Sequence, residues 1–143
     1  MNAIKIIGIS EEPLSPAEIY ASVSADPSAG GIAFFVGAVR DHDHGRAVSE
    51  LRYSAHPSAG DILRTVVEKA IANYPIRAVS AVHRVGDLTI GDAAVIVAVA
   101  CAGRADAFAA CRTIIDDIKH EVPIWKDQRF TNGESEWVGA EDC

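Results

Sequence analysis

Apolar and polar positions alternate along this chain at two periods, and each change of period marks an element. Ile4 to Ile9, rich in isoleucine, predicts a short strand. Ser15-Pro16-Ala17-Glu18 predicts a helix start, with Ser as N-cap, Pro at the first helical position and Glu three residues beyond the cap. That helix is expected to end before Pro27. Gly30-Gly31 opens a strand over Ile32 to Val39, and the polar stretch Asp41 to Arg46 reads as a loop before a partner strand, Val48 to Ala55. From Ser58 to Tyr74 the period becomes helical: Ile62, Leu63, Val66, Val67, Ala70 and Ile71 form one apolar stripe, which Pro75 terminates.

The second half repeats the scheme. Val79 to Val85 predicts a strand, Gly86-Asp87 a turn, and Asp92 to Cys101 a buried strand rich in Val and Ala. A second long helix is expected over Ala105 to His120, with Phe108, Cys111, Ile115 and Ile118 on its buried face, and Pro123 after its end. Ile124 to Phe130 and Glu136 to Val138 flank Asn132-Gly133, a hairpin signal. The order is β-α-β-β-α-β-β-α-β-β. Strands joined by short turns pair antiparallel, so an α+β fold with a mainly antiparallel sheet and two long helices is expected, forming one domain over residues 1–143.

Composition narrows the function classes. Thirteen Lys+Arg against 20 Asp+Glu give a net charge of −7, which argues against a general nucleic-acid binder. The longest purely apolar run, Ala93 to Ala102, has ten residues, whereas a bilayer span needs roughly 20, and no secretory signal is visible. The cysteines, Cys101, Cys111 and Cys143, make no metal spacing and no even framework, which fits a reducing cytoplasm. Core packing accounts for Cys101 and Cys111; Cys143 is terminal.

Four places carry polar residues that packing alone does not require. Arg40 ends the strand that contains Gly37. Asp41-His42-Asp43-His44 alternates carboxylate and imidazole, but without a further ligand cluster it reads as a solvated loop, and no metal is expected. At Gly103-Arg104 a strand gives way to a helix; Arg104 either flanks the cap or joins the helix N-terminus in holding an anion. Lys119 falls in the last turn of that helix and Lys126 follows Pro123-Ile124-Trp125. Their bland roles are to complement the helix dipole and to face solvent. The chain has only four lysines, and two of them lie in this one stretch. Arg40, Arg104, Lys119 and Lys126 make a basic pocket if the fold gathers them. No P-loop, dinucleotide fingerprint or Ser-His-Asp order accompanies them.

At these residues the chain resembles the catalytic (large) subunit of molybdopterin synthase. The matching stretches are Phe35-Val-Gly-Ala-Val-Arg-Asp-His42, Val82-His-Arg-Val-Gly-Asp-Leu88, Gly103-Arg-Ala-Asp-Ala-Phe108, Asp117-Ile-Lys119, Pro123-Ile-Trp-Lys126 and Glu136-Trp-Val138. They stand in family order over about residues 30 to 140. The resemblance implies an α/β-hammerhead fold and a homodimer, with a small ubiquitin-like sulfur-carrier subunit at each end of a heterotetramer. It implies that the carrier's C-terminal Gly-Gly thiocarboxylate enters the active site, and that cyclic pyranopterin monophosphate becomes molybdopterin by insertion of two dithiolene sulfurs. No cofactor is implied. Carried over by position, substrate binding falls on Ala38, Val39 and Arg40, on Gly103 and Arg104, on Lys119, and on Lys126, Asp127 and Gln128; Lys119 and Lys126 are the implied catalytic groups. Relatives often have His where this chain has Gly103, which can offer only its backbone N–H. Two readings of other classes stay open at this point: a non-catalytic module that binds a ubiquitin-like partner or an anionic metabolite, and a metal-binding regulatory domain using His42 and His44.

Overall fold

The computed structural model describes residues 2–139; Cys143 lies outside them. Strands β1 (Ile4–Ser10), β2 (Gly31–Ala38), β5 (Ile76–Arg84) and β7 (Ala93–Cys101) form one sheet in the order β1-β5-β7-β2. All its pairs are antiparallel except β1 with β5. Strands β3 (His42–Asp43), β4 (Arg46–Ala55), β6 (Gly86–Thr89), β8 (Ile124–Phe130) and β9 (Ser135–Gly139) form a second sheet, in which β4 pairs with β3, β6 and β8.

Helices cover both faces of the first sheet. Helices α2 (Ala59–Asn73) and α3 (Arg104–Glu121) lie on one side, where Leu63, Val66, Ile114 and Ile118 pack on Val79, Val95, Val97 and Val99. Helix α1 (Pro16–Val23) lies on the other, with Ile19 and Val23 against Val82, Ile96 and Ala98. Burial from both sides is why β7 reads as an unbroken apolar run rather than an alternation. The cap on α1 forms as expected, the Ser15 hydroxyl accepting from the Glu18 N–H at 3.3 Å. Gly30 and Gly31 are needed where β2 starts under α3: a Cβ on Gly30 would stand 2.4 Å from the Ala102 carbonyl oxygen, and one on Gly31 would stand 2.9 Å from the Arg104 nitrogen.

Three expectations are corrected. The stretch Asp41 to Arg46 is a small hairpin rather than an open loop: β3 pairs with the start of β4, and His44 and Gly45, both at positive φ, make its tip. Gly86-Asp87 does turn the chain, Gly86 standing at φ +97, but the residues that follow pair with β4 as β6, anchored by the buried Leu88. Phe108 is 67% exposed. The buried stripe of α3 runs through Ala107, Ala110, Cys111, Ile114 and Ile118, one position away, so Phe108 and Ile115 flank it toward the free edge of β2.

Candidate functional site

The end of β2 meets the second sheet at a cavity of about 190 Å³. Backbone bonds from Val39 N–H to the Asp92 carbonyl and from Gly91 N–H to the Val39 carbonyl pin that end. Ala38, Val39 and Arg40 form one wall, Tyr53 on β4 and Val95 on β7 form others, and the further polar side chains of the lining are Lys119, Lys126, Gln128 and, at the exposed rim, His42. Gly37 keeps β2 close to β7 here, since a Cβ would meet Val95 Cγ1 at 2.7 Å. A larger, open hollow of about 880 Å³ shares Tyr53 with this cavity, but its Arg52 is paired with Asp87 at 3.3 Å and no second Lys or Arg lines it.

The period of β8 decides which of its residues reach the cavity. Ile124, Lys126, Gln128 and Phe130 are buried, and Trp125, Asp127 and Arg129 take the other face. Lys126 therefore lies inside rather than on a solvent face, at 5% exposure and opposite Tyr53 in the register. Asp127 belongs to the far face, where its Oδ1 is buried without a hydrogen-bond partner.

Asp43 organises the cavity. It is buried, its Oδ2 accepts from Gln128 Nε2 at 2.6 Å, and its Oδ1 accepts from the Arg40 guanidinium at 3.1 Å. The Gln128 hydrogen bond is the main cause holding its carboxyl below the usual range against burial, and Lys126, Arg40 and His44 add to it. Sequence reasoning grouped Asp43 with the solvated histidines. The missed signal is period two through a short hairpin, which turns Asp43 inward while His42 and His44 stay exposed. Among the described residues no group of three or more His, Cys, Asp and Glu is placed to hold a metal.

Lys119 reaches the cavity from the last turn of α3. Beneath the wall formed by Tyr53 and Val95 lies a residue that sequence reasoning left without a role, His83. It is 1% exposed and stands opposite Val95 in the β5–β7 register, with its ring edge-on to Tyr53 at 4.9 Å between centroids. Its Nδ1–H donates to the Arg84 carbonyl at 2.8 Å, so Nε2 carries the lone pair, and Nε2 is buried without a hydrogen-bond partner. Burial, opposed by that backbone bond and reinforced by the Lys119 charge, holds its pKa down to about 4. A histidine inside an apolar strand was the available signal.

Gly103 and Arg104 are not part of this cavity. They are exposed at the start of α3, against the beginning of β2. Arg104 and Lys119 stand fifteen residue steps apart along α3, roughly 22 Å at the α-helical rise. Within one chain, then, three of the four expected cations converge and the fourth stands at the opposite end of the same helix. Between the two ends runs β2, an edge strand that exposes Phe34, Phe35 and Val36, with Phe108 exposed on α3 beside it.

Residues 9–121 match the family model described as MoaE protein. The chain is similar to molybdopterin synthase catalytic subunit 1 of Mycobacterium tuberculosis, 43% identical over 135 residues, covering 92% of this chain and 88% of that one. It is 40% identical over 116 residues to the molybdopterin synthase catalytic subunit of Arabidopsis thaliana, covering 80% of this chain and 59% of the plant protein. Among solved structures it is similar to the molybdopterin synthase from Staphylococcus aureus, with a TM-score of 0.84, 33% identity, and coverage of 93% and 96% of the two chains.

Proposed function

The chain belongs to the MoaE protein family, and from that premise we propose that it is the catalytic subunit of a molybdopterin synthase. As a sulfurtransferase of molybdenum-cofactor biosynthesis, it converts cyclic pyranopterin monophosphate to molybdopterin. Both dithiolene sulfurs come from the thiocarboxylated Gly-Gly end of a small ubiquitin-like carrier subunit.

The observation that carries this reading is the convergence of Arg40, Lys119 and Lys126 on one cavity of a chain with net charge −7. Substrate phosphate and thiocarboxylate are both anions, and the general field of an acidic protein does nothing to attract them, so the cavity has to. Arg40, held by Asp43 but with a side chain 58% exposed, offers a planar fork of donors to the phosphate at the rim. Lys126, deep in the cavity, stabilises negative charge that develops there. Lys119 belongs at the reacting centre, where a partly desolvated amine among other cations carries a proton or attacks as a nucleophile. Gln128 and the backbone at Ala38 and Val39 complete the binding wall; Asp127, on the far face of β8, is not part of it.

A homodimer accounts for Arg104. The β2 edge is unpaired among the described residues and carries exposed aromatic side chains, a surface suited to a second copy. Antiparallel pairing of two β2 edges lays the Gly31 end of one beside the Ala38 end of the other. The strand is eight residues long, about 23 Å from first to last, close to the roughly 22 Å from Arg104 to Lys119. Each cavity thereby receives the cation that its own chain holds at the far end of α3. Cys101 and Cys111 are free thiols in the core, which suits a cytoplasmic protein.

The test is reconstitution: this chain, a thiocarboxylated carrier and the pyranopterin precursor, assayed for the dithiolene product. Lys119→Ala is expected to abolish product while the protein stays folded. Near-normal turnover in that variant removes Lys119 from the mechanism, and tight carrier binding without turnover by the unaltered chain favours the non-catalytic module.

A further inference from the structure

The His83 imidazole is placed with unusual economy. One nitrogen is consumed by the strand itself, through the 2.8 Å bond to the Arg84 carbonyl. The other, which carries the lone pair, is buried without a hydrogen-bond partner, in a ring that packs edge-on to Tyr53 and stands opposite Val95, two residues of the cavity lining. Packing alone does not ask for that lone pair, because a phenylalanine ring fills the same space against Tyr53. Lys119 lines the same cavity as Tyr53 and Val95, the two residues that His83 stands against, and its charge adds to the burial that keeps the ring neutral.

We propose that His83 is a positioning residue for sulfur transfer: its Nε2 is a fixed acceptor that takes an N–H of Lys119 when substrate and carrier tail occupy the cavity. The inference rests on the reading of Lys119 as the reacting group. An amine that donates one N–H backward to Nε2 holds its remaining valences, including the lone pair when neutral, toward the cavity. An imidazole suits this better than a carboxylate. A carboxylate would hold Lys119 as an ammonium ion, whereas neutral imidazole orients the amine without adding negative charge to a site that must bind anions. His83 does not itself take the proton, since its environment keeps it neutral at the pH where the reaction runs.

Two substitutions separate orientation from packing. The side-chain amide of His83→Asn lies near the Nδ1 position and can keep the bond to the Arg84 carbonyl, but it leaves nothing at Nε2. His83→Gln brings an amide oxygen to the Nε2 position. In the reconstituted reaction, His83→Asn is expected to lower kcat about 10- to 100-fold with KM for precursor and carrier unchanged, and His83→Gln is expected to recover most of that loss. Wild-type kcat in His83→Asn, while Lys119→Ala is inactive, overturns the proposal; so does a Gln variant no better than Asn at equal thermal stability. Turnover by Lys119→Ala overturns the underlying reading as well. A measurement on the unaltered side chain guards against misfolding. In protein labelled with nitrogen-15 at histidine, the Nε2 resonance is expected to move in the direction of hydrogen-bond acceptance on saturation with thiocarboxylated carrier and precursor, and to stay fixed in Lys119→Ala. No movement in the wild-type protein overturns the proposal.

Discussion

Replacing His83 with phenylalanine should change how stability depends on pH, by an amount that follows from the burial of this side chain. His83 is 1% exposed and its pKa is held at about 4, against 6.5 for an exposed imidazole. Between those two values the unfolded chain binds a proton that the folded chain refuses, so folding stability falls as pH falls from 6.5 toward 4 and levels off below. The gap corresponds to about 3 kcal/mol at full extent, of which roughly 2.5 kcal/mol is lost by pH 4.5. Phenylalanine fills the site, keeps an edge-on ring against Tyr53 and cannot titrate. Urea unfolding at pH 7.5 and pH 4.5, at one fixed protein concentration so that the proposed dimerisation contributes equally throughout, gives four free energies. At pH 7.5 the lost donor to the Arg84 carbonyl is offset by removal of the unpartnered Nε2, and the variant should lose about 2.5 kcal/mol less than wild type on going to pH 4.5. The exposed histidines and the carboxylates cancel in this double difference. The Asp43 carboxyl, depressed in the fold, loses its contribution only as pH falls through its own lowered pKa, below the usual carboxylate range and outside the window. A double difference under about 0.5 kcal/mol, within the error of extrapolation, would refute the claim that His83 is buried neutral.

Two further outcomes test the site. Arg40→Ala should raise KM for the precursor about tenfold, the equivalent of ~1.4 kcal/mol, with a smaller change in kcat, because a rim guanidinium contributes to binding more than to the reacting centre; steady-state kinetics with unaltered KM and kcat would exclude a phosphate role. Lys119→Ala and Arg104→Ala should each be inactive alone, yet recover roughly a quarter of wild-type activity after subunit exchange, since half the dimers are mixed and each mixed dimer holds one intact site of two; no recovery after verified exchange would place Arg104 outside the partner's cavity.

The long elements were legible because each rests on many residues that agree. The apolar stripe of α2, the Ser15 cap and the unbroken run of β7 all appear where the pattern placed them. Short elements were not legible, because two to four residues carry no period. Strand β6 depends on one buried leucine, Leu88, and on the partner offered by β4, which lies 35 residues back in the sequence. The same limit hid Asp43, whose inward direction is set by the pairing of His42–Asp43 with Arg46–Ala47 rather than by its neighbours' polarity. Within the site, alternation along β8 could have separated Lys126 and Gln128 from Asp127, but sequence has no means of telling which face of that strand meets the cavity.

The position of Arg104 bears on assembly as well as chemistry. An α-helix is stiff along its axis, so no side-chain rotamer closes the roughly 22 Å between Arg104 and Lys119 within one chain. If both groups serve one substrate, the monomer holds two incomplete halves of two sites. Substrate then binds the dimer better than the monomer, and by linkage an anionic substrate tightens the dimer to the same degree. In the proposed dimer the exposed Phe34, Phe35 and Phe108 would supply apolar association, which salt leaves largely intact, whereas phosphate contacts across that interface would weaken with ionic strength. Salt should therefore reduce the gain in dimer stability that substrate provides while sparing the dimer without substrate, which separates the aromatic edge as the source of assembly from the cations as the source of its coupling to catalysis.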